Sequence, residues 1–115
     1  MRSESAFQKQ CIDYLRSKGC YVYKNNQNQY TEKGRPDLTV CMPTTLCLDN
    51  HRGNCIEYKV GLYMGLELKR EDKYNTASEA QQIVGRQIQK AYGLWFVIDS
   101  LDTLKAIVEE YIDAV

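Results

Sequence analysis

The 115-residue chain lacks any apolar run near the ~20 residues that a membrane-spanning helix needs, so no membrane association is expected. Its opening stretch, MRSESAFQKQ, lacks the apolar centre of an export signal, which makes the cytoplasm the expected location. Net charge is also missing: 15 basic side chains face 15 acidic ones, so bulk charge does not call for a polyanion. The distribution is less even. Asp99, Asp102, Glu109, Glu110 and Asp113 crowd the last 22 residues and mask a net +4 over residues 1–93. A polyanion partner and an ordinary solvated surface fit these counts equally well. There is no internal repeat, low-complexity tract or linker, and the length suits one domain spanning 1–115.

Cysteine is present in an odd number, at positions 11, 20, 41, 47 and 55. Without an export signal these are expected as reduced thiols rather than a disulfide framework. Cys11 falls in an apolar helical pattern and reads as core.

Periodicity places the elements. Phe7, Cys11, Ile12 and Leu15 share one face of a helix over 4–18, which Gly19 ends. CYVYK at 20–24 alternates as a strand, and the polar residues 25–34 read as a loop. PDLTVCM at 36–42 is a second strand, with Leu38, Val40 and Met42 opposite Asp37, Thr39 and Cys41. Residues 43–54 read as a loop or hairpin tip turning at NHRGN, and 55–70 as strand-like throughout, either two strands or one bent at Gly61. TASE at 76–79 fits a capping box of Thr76 and Glu79, opening a helix over 76–92 that Gly93 stops. LWFVI at 94–98 reads as a buried parallel strand, and Ser100 or Asp102 caps a last helix. The expected class is α/β: an α-β-β-β-α-β-α order, a mixed central sheet and helices on both faces, with strand 66–70, helix 76–92 and strand 94–98 as a right-handed crossover.

Two stretches carry chemistry. In GLELKR, alternation puts Glu67 and Lys69 on one strand face and Leu66 and Leu68 on the other. In KGRPDLTV, Asp37 sits at the mouth of a strand. If the two strands are neighbours, two carboxylates and a lysine share one site. A divalent cation relieves the repulsion between such carboxylates, and oxygen donors suit Mg²⁺ or Mn²⁺. Lys69 can orient or help deprotonate a water and balance charge on a phosphate, so the set suits metal-assisted phosphodiester hydrolysis. Each piece alone is weak: Glu-x-Lys occurs by chance in about one chain in three of this length. The bland reading is an exposed ion pair beside a strand-end acid. The order and context of the pieces raise the signal.

In that order the chain resembles the PD-(D/E)XK nuclease superfamily and, within it, the small stand-alone VRR-NUC nucleases often encoded by phages. Four stretches carry the resemblance: Glu4 in SESAFQ, GRPD at 34–37, GLELKR at 65–70 and Gln81 in SEAQ. It implies a restriction-endonuclease-like αβββαβ core and Mg²⁺- or Mn²⁺-dependent DNA cleavage in a phage or prophage setting. It implies that Asp37, Glu67 and the Leu68 carbonyl bind metal with Glu4, while Lys69 serves the attacking water and Gln81 supports that water or a phosphate. Glu4 and Gln81 also extend the apolar stripes of their helices, which suits residues facing a cleft. Arg35, Arg70 and Lys73 flank the site as candidate phosphate contacts. A homodimer acting on branched DNA, such as a Holliday junction, follows from the need to cut two strands with one site per chain.

Two other readings stay open. One is a nucleic-acid-binding module that keeps the fold without chemistry. The other is a zinc-stabilised interaction protein built on Cys41, Cys47, His51 and Cys55, although these lack the close Cys-x-x-Cys pair of common zinc sites.

Overall fold

The computed structural model describes residues 3–26, 32–69 and 77–112. The elements run α1 (Glu4–Ser17), β1 (Tyr21–Lys24), β2 (Leu38–Asp49), β3 (Cys55–Leu68), α2 (Glu79–Lys90), β4 (Leu94–Ile98) and α3 (Leu101–Tyr111). The order is the one the periodicity implies. The strands form one mixed sheet in the order β1-β2-β3-β4. The first two pairings are antiparallel and β3–β4 is parallel.

Alternation sorts the two sheet faces. Leu38, Val40, Met42, Met64 and Leu66 are wholly buried and pack with Phe7, Cys11 and Leu15 of α1 and Leu104 and Val108 of α3. On the other face α2 lies against the sheet, with Gly85 on the Trp95 ring and Ile88 over Gly65. The helices thus cover both faces, as expected. Serine hydroxyls hold all three helix starts, Ser3 accepting from Ala6 N, Ser78 from Gln81 N and Ser100 from Thr103 N.

Several local expectations change. The capping box of α2 pairs Ser78 with Gln81, not Thr76 with Glu79; both pairs fit the pattern, and Gln81 is held there by further bonds described below. The left-handed residue after α2 is Tyr92 (φ 66°), whereas Gly93 is small because a Cβ there would press on Ile88. β3 is one unbroken strand through Gly61.

The largest change is at 43–54. Instead of looping, β2 and β3 stay paired from Leu38–Leu66 out to Asp49–Cys55, and only residues 50–54 turn. Pro43 disguised the strand. It is tolerated because β1 ends opposite Cys41, leaving that edge of β2 open beyond it. The outer part of this hairpin forms an arm, and the molecule measures 53 × 27 × 24 Å. The core face continues along it as Leu46, Leu48, Ile56 and Tyr58, all exposed. On its opposite face Cys47 and Cys55 are joined in a disulfide with Cα atoms 5.7 Å apart, contrary to the expectation of reduced thiols. The hairpin register, invisible in a supposed loop, is what brings these two cysteines together. Cys41 is free and exposed beside Gly61, so the four candidate zinc ligands do not gather.

Gly85→Ala tests the packing of α2. Alanine should gain about 1 kcal/mol of helix propensity. Its methyl would overlap the Trp95 ring, and overpacking costs about 1–3 kcal/mol or more. Urea denaturation should show net destabilisation with altered Trp95 fluorescence; a stabilised variant would contradict this packing.

Candidate active site

The site lies where β2 begins and β3 ends. Leu38 pairs with Leu66, so one step further Asp37 and Glu67 fall side by side on the face that α2 covers. The GRPD and GLELKR stretches interlock there. A Cβ on Gly65 would meet the Pro36 ring, so the missing side chain makes room for the proline. Gly34 has φ +86°, and a Cβ there would strike the Ala80 backbone in the first turn of α2. These glycines let the Pro36–Asp37 segment lie flat between sheet and helix.

Asp37 Oδ2 accepts a hydrogen bond of 2.7 Å from the Leu68 backbone N–H. The Leu68 peptide is therefore beside the Asp37 carboxylate. Glu67 is fully buried. Its Oε2 accepts from Gln81 Nε2 at 2.8 Å, and its Oε1 is 3.5 Å from the donating Trp95 Nε1. Gln81 Oε1 accepts from Lys69 Nζ at 3.0 Å and from the Ser78 N–H at 2.9 Å. One amide thus binds the acid, holds the lysine and caps α2. Lys69 is past the end of β3, yet its N–H donates to Ile98 O at 2.9 Å and continues the parallel ladder.

The electrostatics are those of crowded acids. Burial raises the Asp37 carboxyl above the usual Asp range. The Leu68 N–H, Lys69 and Lys24 oppose this, and the Glu4 charge adds to it. Glu67 is pushed up to about 7, by burial first and by the Asp37 charge second, against the Trp95 hydrogen bond and Lys69.

The structure therefore gathers Asp37, Glu67, Leu68, Lys69 and Gln81. Glu4 is exposed in the first turn of α1 and reaches the cluster through its effect on Asp37. No three His, Cys, Asp or Glu side chains among the described residues gather closely enough to hold a metal. Arg35 is half-buried, with Nη2 donating to Asn25 Oδ1 at 2.7 Å. Arg70 and Lys73 lie outside the described residues. Sequence reasoning missed two residues. Trp95 sat within an apolar run read as buried strand, and Asn25 opened a polar stretch read as loop. Neither position carries a local signal of its contact.

No protein-family model and no curated protein matches the chain. A solved structure of a VRR_NUC domain is similar, with a TM-score of 0.65 and 21% identity, over 94% of this chain and 96% of its own. At that identity the likeness speaks for the fold, which the two chains share over nearly their whole lengths.

The pH dependence of stability checks the site. Folded Glu67 titrates at about 7 against 4.5 for the ordinary group, so the folded metal-free protein holds this proton more tightly. That contribution is full below about pH 4.5 and is lost as pH rises to about 7, about 3 kcal/mol in all. Asp37, also raised, acts in the same direction. Urea unfolding in chelator should show stability falling over this window, and Glu67→Gln should remove most of the slope. A wild-type profile that is flat or rises there would contradict the geometry.

Proposed function

We propose that the chain is a nuclease domain of the VRR-NUC kind, a metal-dependent DNA endonuclease of the PD-(D/E)XK superfamily. The observation that carries this reading is the convergence of Asp37, Glu67, Lys69 and Gln81 at adjacent strand ends. A fold with no chemistry to perform has no use for a buried and a half-buried carboxylate that repel each other. Glu67 is raised by burial first and by the Asp37 charge second; a divalent cation relieves that repulsion, and the donors are hard oxygens that fit Mg²⁺ or Mn²⁺. Asp37, Glu67 and the Leu68 carbonyl would hold the ion, and Glu4, exposed at the start of α1, would join them only by turning its side chain toward the site. A bound ion would polarise the phosphodiester and acidify a water. Lys69, anchored by Gln81, orients that water and balances charge on the phosphate. Arg35, with Arg70 and Lys73, binds backbone phosphates.

A panel of labelled duplex, flapped and four-way-junction DNAs with Mg²⁺ or Mn²⁺ tests the reading. Cleavage should stop on chelation. Asp37→Ala, Glu67→Ala and Lys69→Ala should each lower the rate at least about 100-fold while folding persists. Full activity in Glu67→Ala would overturn the assignment.

On the same reading the protein acts as a homodimer on branched DNA, because one site cuts one strand and a twofold pair matches a twofold junction. The apolar face of the arm supports a second copy as partner. Leu46, Leu48, Ile56 and Tyr58 are 43–54% exposed and uncharged, which suits an identical apolar face rather than phosphates. Tyr63 lies on the opposite sheet face and is 39% exposed, so it does not extend this apolar face. Light scattering should give twice the 13.3 kDa chain mass, and Leu46→Glu should return it to one. Paired nicks should appear on an immobile junction. A monomer that cuts linear duplex as fast as the junction would rule this out.

A further inference from the structure

Asn25 is 4% exposed, a buried polar side chain at the edge of a polar stretch. Burying an amide is costly unless its hydrogen bonds are remade. Here they are. Nδ2 donates to the Pro36 carbonyl at 2.9 Å and to Thr39 Oγ1 at 2.7 Å. Oδ1 accepts from Arg35 Nη2 at 2.7 Å. The Asn25 backbone N–H also donates to the Asp37 carbonyl at 2.9 Å, extending the β1–β2 ladder one step past Lys24–Leu38. These bonds reach Arg35, Pro36, Asp37 and Thr39, on both sides of the acid that meets Leu68. Serine or alanine could not span them, and aspartate would set an oxygen against the Pro36 carbonyl.

We propose that Asn25 is the positioning residue of the site. It fixes the Pro36–Asp37 segment so that the Asp37 carboxylate is aimed at the Leu68 N–H and lies beside Glu67. The same side chain anchors the Arg35 guanidinium through its Oδ1. The metal-binding consequence rests on the nuclease reading, whereas the aiming of Asp37 does not. Asn25 touches no reacting atom in this scheme; it acts through Asp37 and Arg35. Partners of this kind behind a metal ligand typically change metal affinity or activity 10–100-fold when lost.

The test has a readout free of activity. The Leu68 amide donates to Asp37 Oδ2, so its hydrogen exchange in metal-free protein reports where Asp37 points. In Asn25→Ala, Leu68 exchange should quicken at least about tenfold while Val40 and Met64 keep their protection. Mn²⁺ binding to DNA-free protein, by calorimetry, should weaken about 10–100-fold. Thr39→Val keeps Asn25 with one anchor fewer and should shift both readouts less, in the same direction, should Asn25→Ala not fold. Unchanged Leu68 exchange in the variants overturns the proposal. So does a uniform loss of protection through the sheet, which would make Asn25 a general support. Wild-type protein that binds no Mn²⁺ would sink the nuclease reading, and Leu68 exchange would still decide the role of Asn25.

Discussion

Because Leu38 pairs with Leu66 in the β2–β3 ladder, every later feature of the site has its place. A slip of one residue would turn Leu38, Val40 and Met42 out of the core and move the acids apart. The slip is prevented by packing on both sheet faces. On one, five wholly buried side chains of β2 and β3 meet α1 and α3. On the other, the Pro36 ring fills the space over Gly65. Core packing and site geometry are thus set by one pairing.

The site is costly to fold. Asp37 and Glu67 are taken from water and set against each other, and both hold their protons more tightly as a result. Their hydrogen bonds offset part of that cost. Leu68 N–H serves Asp37, while Gln81 and Trp95 serve Glu67. Gln81 is well placed for its several partners because it occupies the third position of α2, where its own backbone is fixed by Ser78. Its carbonyl then holds Lys69 without competing for the acid. The start of α2 is in this sense part of the site, and Gly34 allows the chain before Asp37 to approach it.

The arm follows a different logic. Past the helices, the core face of β2 and β3 is left uncovered among the described residues, yet stays apolar through Leu46, Leu48, Ile56 and Tyr58. A two-stranded ribbon is marginal alone in water. Continuity with the central ladder, the Thr44 hydroxyl donating to Tyr111 O and the Cys47–Cys55 bond hold this one in register. An apolar face kept in order far from the core is what an interface requires.

The element order, the core stripes and the shared face of Glu67 and Lys69 were legible in the sequence, because alternation and helical period act over a few residues and survive any tertiary context; that Asp37 joins them was decided by the β2–β3 pairing. Gln81 was singled out through the family resemblance, but its capping role was not legible, since Thr76-x-x-Glu79 and Ser78-x-x-Gln81 fit the same local rule. The arm was hidden by Pro43, whose place on a strand depends on where β1 stops. The disulfide depended on the hairpin register. Asn25 was unreadable because its partners lie 10 to 14 residues away and meet it only when β1 and β2 pair. Local pattern determined which residues face together along each element; only the tertiary structure decided which of them meet across elements, because side-chain hydrogen bonds and ring contacts depend on strand register and helix docking that no short stretch of chain encodes.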